Sequence, residues 1–148
     1  MRTTITAERE LDAEPHVVYH CLADYRRHHR PDGFLPAAFS DLEVTKGGVG
    51  EGTEATWTVD AGGRRTITAR ITEPEPGHIL RETADGLVTT FTVDPSAAGA
   101  RVRFETVIDE PGLRGVLTRL FAPRMLAPLY ADELNRLGEY ARAHGPSD

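Results

Sequence analysis

Residues 53–77, TEATWTVDAGGRRTITARITEPEPG, alternate apolar and polar side chains on both sides of a glycine turn, then stop at a Pro-Glu-Pro-Gly corner. Ala55, Trp57 and Val59 share one parity before the turn, and Ile67, Ala69 and Ile71 share one after it. A period of two marks a strand with one dry and one wet face. Thr56, Thr58, Thr66 and Thr68 suit the wet face, because threonine favours strands and tolerates water. The same pattern runs outward in both directions. FSDLEVTK (39–46), HILRETA (78–84), LVTTFTVD (87–94) and ARVRFETVID (100–109) also read as strands, separated by GGVGEG, AGG, PEPG, DG and PSAAG, all turn chemistry. Six strands joined by such short loops pair antiparallel in sequence order. Phe91, Val93, Val102, Phe104 and Ile108 continue the dry face, and Thr90, Thr92, Arg101, Arg103 and Glu105 the wet one.

Outside this meander the pattern changes. RTTITAEREL (2–11) alternates and adds a seventh strand. A helix start follows, with Asp12 as candidate cap and Pro15 in the first turn, and Pro15, Val18, Tyr19 and Leu22 form one buried stripe. After Leu22 the helical pattern fades into DYRRHHRPD (24–32), a turn or second short helix. The segment 113–144 carries Leu113, Leu117, Leu120, Phe121, Leu126, Tyr130, Leu134, Leu137 and Ala141 at helical spacing. Pro123 and Pro128 should kink this long helix or split off its first part. A sheet with one dry face must be covered, and only this helix has the length to do so. The space between them is either packed core or a ligand cavity.

The chain of 148 residues fits a single domain over 1–148, and its 39% apolar and 27% charged content suits a globular protein. A net charge of −6 argues against nucleic acid as partner. No apolar run spans a membrane and the start has no apolar signal core, so a cytoplasmic location is the expectation. The single cysteine, Cys21, excludes an internal disulfide and a Cys-rich zinc site.

The order of elements, with DAEPHVVYHCLADYRRHHRPDGFLP, LEVTKGGVGEGT, ITEPEPGHILRET, LVTTFTVDP and RLFAPRMLAPLYADELNRLGEYA, resembles the START-like (SRPBCC) superfamily and its polyketide cyclase/dehydrase-like branch. Pro15, Asp24 and the glycines Gly47, Gly48, Gly50 and Gly52 stand where that pattern has a helix-start proline, a helix-end aspartate and a glycine-rich hairpin. The resemblance implies an α+β helix-grip fold. A curved antiparallel seven-stranded sheet wraps round a long C-terminal helix, with two short helices after the first strand. It also implies a small hydrophobic or aromatic ligand, lipid or polyketide-like, held between sheet and helix. A cofactor-independent cyclase or dehydratase and a protein-interaction module remain alternatives, since the superfamily shares no catalytic motif. Neither a cofactor nor an assigned catalytic residue follows, and a monomer and a homodimer both fit.

Candidate ligand contacts are the aromatic wall Trp57, Phe91, Phe104 and Tyr130, residues that equally suit a packed core. DYRRHHRPD would stand at the cavity rim. One of His28 and His29 would then point inward as an acid–base handle and the other outward; otherwise the segment is a solvated turn. One of Arg81 and Glu82 must face the dry side, and parity does not choose, since Ile79 favours Arg81 and Leu80 favours Glu82. GGVGEG leads into a strand, which excludes a phosphate-binding loop. It reads as a flexible hairpin tip or, by resemblance, as the hairpin at the cavity mouth. His16 and His20 are four apart but flank the buried stripe and lack further ligands, so no metal is expected. Cys21, near the buried side of its helix, should be inert.

Overall fold

The computed structural model describes residues 2–29, 32–60, 64–109 and 112–144, with side-chain surroundings in the last span given from residue 122 onward. The elements are β1 (Arg2–Leu11), α1 (Pro15–Ala23), β2 (Phe39–Lys46), β3 (Glu54–Asp60), β4 (Arg64–Glu75), β5 (Ile79–Ala84), β6 (Leu87–Ser96), β7 (Gly99–Asp109) and α2 (Gly112–Ala143). The seven strands form one sheet in the order β1-β7-β6-β5-β4-β3-β2, antiparallel at every step. The meander therefore folds as its short loops dictate, and β1 returns from the far end to pair with β7.

Face assignment follows the alternation. Ala55, Trp57, Ile67, Ala69, Ile71, Phe91, Val93, Val102, Phe104 and Ile108 are buried, whereas Thr66 and Thr68 are exposed. Register shifts between Ser40 and Glu43, Val44 and Lys46, and Thr72 and Glu75 bend the β2–β5 end of the sheet. Pro74 falls inside the last of these, where a strand proline costs no ladder bond.

Three expectations change. The cap of α1 is Glu14 rather than Asp12, and its side chain makes no capping bond; Pro15 at the helix start needs no donor satisfied there. Residues 25–28 form turns, and no second short helix occurs among the described residues. The cause is Asp24, whose Oδ1 accepts the backbone N–H of Arg26 and of Arg27, both at 3.1 Å, and so diverts the chain from helix. Finally, α2 runs unbroken through Pro123 and Pro128. Its stripe of Tyr130, Leu134, Leu137 and Ala141 is buried, and the helix lies against β1, β7 and α1. Leu113, Leu117, Leu120 and Phe121 lie outside the described side chains.

Candidate functional site

The turn after α1 delivers one side chain into the interior. Tyr25 donates its backbone N–H to Gly48 O at 2.8 Å, and Asp24 makes a β-bridge with Val49, so this corner is stitched to the β2–β3 hairpin. Tyr25 is thereby 1% exposed, and its hydroxyl donates to Glu82 Oε2 at 2.5 Å. Glu82 enters from β5, on the face of Leu80, opposite Ile71 of β4 and Thr89 of β6. Arg81 takes the other face and donates from Nε to Thr90 Oγ1 at 3.2 Å. The open choice at this strand thus resolves to Glu82, because the wet face lets a guanidinium keep its water.

A second carboxyl comes from α2. Glu133 is buried, one turn beyond Tyr130, and among the described residues no hydrogen bond reaches its carboxyl. Tyr130 is bonded to Thr106 Oγ1 at 2.7 Å, and Thr106 to Thr89 Oγ1 at 2.8 Å, two threonines paired directly across β6 and β7. Burial pushes the Glu82 carboxyl up to about 7, with the Tyr25 hydrogen bond working the other way. Burial, then the charge of Glu82, holds Glu133 well above the ordinary carboxylate range. Both tyrosine hydroxyls are likewise raised, mainly by burial. Among the described residues no cation pairs with either carboxyl, and two such groups in a dry interior do not both ionise readily at neutral pH. Both carboxyls are therefore biased toward their protonated forms. Tyr25 also lines a cleft of about 390 Å³ with Arg26, Leu42, Glu43 and Val44.

The four aromatic candidates are all buried. Phe91 meets Phe104 edge to face at 4.7 Å between ring centres, and Phe104 meets Tyr130 at 6.0 Å. The two histidines depart from expectation: both are buried, neither is solvated, and neither is bonded to Glu82. His29 stacks on Tyr25 at 3.9 Å, and its Nε2 donates to Leu22 O at 2.6 Å. Burial pulls its pKa to about 4, so it is a neutral packing group at pH 7. His28 bonds through Nδ1 to the Tyr140 hydroxyl, and burial lowers its pKa too. Short polar bonds to a carbonyl and a hydroxyl make both imidazoles compatible with burial.

Tyr25, Glu133, Thr89 and Thr106 were not among the sequence candidates. The alternation contained two of them: Thr89 shares parity with Phe91 and Val93, and Thr106 with Phe104 and Ile108. Glu133 sits three after Tyr130 and four before Leu137, inside the helical stripe. Tyr25 carried no such signal, since the charges around it read as a solvated face.

The glycine-rich hairpin is clamped, contrary to a flexible tip. Gly50 N–H donates to Ala23 O at 2.9 Å, Arg26 Nε donates to Gly47 O at 2.9 Å, and Glu51 N–H donates to Glu73 Oε1 at 2.8 Å. Gly48 (φ 153°) and Gly50 (φ 64°) have left-handed backbones, and a Cβ at either would collide with Arg26 or Glu73. The histidines of α1 find carboxylate neighbours. His16 stays with Glu14 at 3.3 Å, but His20 is joined by Asp24 and His28, brought back by the turn. Cys21 is buried, and burial pushes its thiol up to about 11.

The sequence family described as "Polyketide cyclase / dehydrase and lipid transport" matches residues 2–142. The chain belongs to this family. No curated protein matches it in sequence. Its fold is that of KanY, solved in solution by NMR, at 26% identity and a TM-score of 0.80 over 96% of this chain and 99% of KanY. A Thermus thermophilus protein is similar at 21% identity and a TM-score of 0.71, over 95% of this chain and 98% of its own. A norcoclaurine synthase from Thalictrum, solved as a point mutant with a transition-state analogue, is similar at 18% and 0.70, over 97% and 96%. This member of the cyclase/dehydrase and lipid-transport family thus has the Bet v 1-like helix-grip fold. No helix among its described residues is long and apolar enough to cross a membrane.

Proposed function

We propose that the protein binds a small hydrophobic or aromatic molecule, lipid or polyketide-like, between the sheet and α2, with the ligand's polar group directed to Tyr25 and Glu82. The family supports a hydrophobic ligand or cyclase chemistry. The observation that carries the reading is the Tyr25–Glu82 hydrogen bond, with Tyr25 in the same buried core as Trp57, Phe91, Phe104 and Tyr130. Among the described residues no cation accompanies this buried carboxyl, and a core built for stability alone gains little from such a group. The protein would act as one domain in the cytoplasm, as a monomer or homodimer.

A second reading, a cofactor-independent cyclase or dehydratase, draws on the same group together with Glu133. Glu82, ionised, would take a proton from carbon next to a ligand carbonyl, while protonated Glu133 or Tyr25 donates to oxygen. The interaction-module alternative has less behind it. Val49 and Met125 are the exposed large apolar residues among those described, and scattered single residues are ordinary.

Trp57, the single tryptophan, reports on this interior. Titration with the dye ANS and with polycyclic phenols should quench its emission saturably. Glu82→Gln should keep the dye but weaken phenol binding by about tenfold, the worth of one charge-assisted hydrogen bond. A broad apolar panel with no saturable response would leave both readings without a site. For the enzyme reading, deuterium exchange next to a bound ketone should be catalysed by the native protein and lost in Glu82→Gln. Binding without exchange favours the carrier.

A further inference from the structure

We propose that His20, Asp24 and His28 form a binding site for a divalent transition-metal ion of Zn²⁺ type. The three residues recur every four positions through the end of α1, and their ligand atoms lie within 4.8 Å of one another. The site does not rest on the ligand reading above. Helical spacing alone would not place them so, because α1 ends at Ala23. The turn returns His28 to Asp24 through its backbone N–H, which donates to Asp24 O at 3.3 Å.

Two of the three ligands are oriented by bonds through their other atoms. Asp24 spends Oδ1 on the backbone N–H groups of Arg26 and Arg27, which leaves Oδ2 for a cation. That side chain is 5% exposed, and its ion-pair partner is His20, with Nε2 at 3.8 Å. His28 engages Tyr140 through Nδ1, so Nε2 is the nitrogen available to a metal. A hydrogen bond on the far nitrogen of a ligating imidazole fixes its tautomer and its orientation. Tetrahedral ligation at about 2.0–2.1 Å brings ligand atoms to roughly 3.4 Å from one another. The closing movement falls on His20, whose side chain is 59% exposed and meets the His28 ring edge-on, because Asp24 and His28 are both buried. Two imidazoles and one carboxylate suit Zn²⁺, Co²⁺ or Ni²⁺ rather than Mg²⁺ or Ca²⁺, which prefer all-oxygen sets. Water would complete the shell on the exposed side. Bound there, the ion would cross-link α1 to the turn that carries Tyr25, and through His28 and Tyr140 to α2.

The test is calorimetric titration of the chelator-treated full chain with Zn²⁺, with Co²⁺ absorption as a second readout. One ion per chain is expected, with visible d–d bands for Co²⁺. His20→Gln should weaken binding at least tenfold and erase the bands, and its exposed position leaves the fold intact. Tyr140→Phe should weaken binding by about tenfold, as loss of an outer-shell partner does. His16→Gln, whose imidazole is outside the set, should bind as the native chain does. The proposal is overturned by no saturable binding, by native affinity in His20→Gln, or by an equal loss in His16→Gln.

Discussion

Tyr25 combines three roles in one side chain: its ring stacks on His29, its hydroxyl serves Glu82, and its backbone anchors the corner to Gly48. Tyr25→Phe removes the hydroxyl alone. Glu82 then keeps the burial that raises its pKa and loses the bond that opposes it. The stability loss should be about 1–3 kcal/mol at pH 8, where the native Glu82 is ionised and accepts this bond, and smaller at pH 5, where it is protonated. Urea unfolding at the two pH values checks this, and equal losses would show that Tyr25 does not serve the carboxylate. None of these roles was legible in DYRRHHRPD. A string of cations reads as a solvated face, and only the turn made by Asp24 sends Tyr25, His28 and His29 inward while Arg26 and Arg27 stay outside.

Elements follow sequence closely where hydrogen bonding is local or alternation is strong. β2 spans Phe39–Lys46 as its pattern indicates, and β7, Gly99–Asp109, begins one residue before the alternating stretch 100–109. The exception is α2, which crosses Pro123 and Pro128 without a break. An interior proline costs a helix about 3 kcal/mol, and only packing outside the segment can offset that. Leu134, 1% exposed, stands in the middle of that packing. Leu134→Asp should place an unpaired carboxylate close to Glu133 in a dry contact and cost more than about 3 kcal/mol. The expected result is an insoluble chain or a much lower urea midpoint. A soluble variant with the native midpoint would mean that α2 is not what closes the sheet.

Across the whole molecule, the buried carboxyls make stability depend on pH. Glu82 has a folded pKa near 7 against an ordinary 4.5. Between those values the folded state holds a proton that the unfolded state has released, so stability falls as pH rises through this window. Glu133 is raised as well and acts in the same direction. His29, lowered to about 4, acts oppositely, its penalty fading as pH rises from 4 toward 6.5. Comparison with Glu82→Gln cancels His29, which both chains share. From pH 5 to pH 8 the native protein should lose about 2 kcal/mol relative to the variant. Parallel pH curves for the two chains would show that Glu82 is solvated in the folded state.

Sequence by itself determined the strands, their antiparallel order, the dry face and the identity of the covering helix. Each rests on local periodicity or on a loop too short for any other connection. Trp57, Phe91, Phe104 and Tyr130 could be placed inside on that ground alone. Tertiary structure decided which polar groups join them. Parity narrowed β5 to Arg81 or Glu82, but the chosen carboxyl accepts a bond from a hydroxyl 57 residues away, on Tyr25. Glu133 was hidden in an amphipathic stripe, where one acid among leucines looks like an edge residue. His20, Asp24 and His28 came together because a side-chain bond ended a helix. Such partners are set by where the chain returns in space, and periodicity carries no information about distance between segments far apart in sequence.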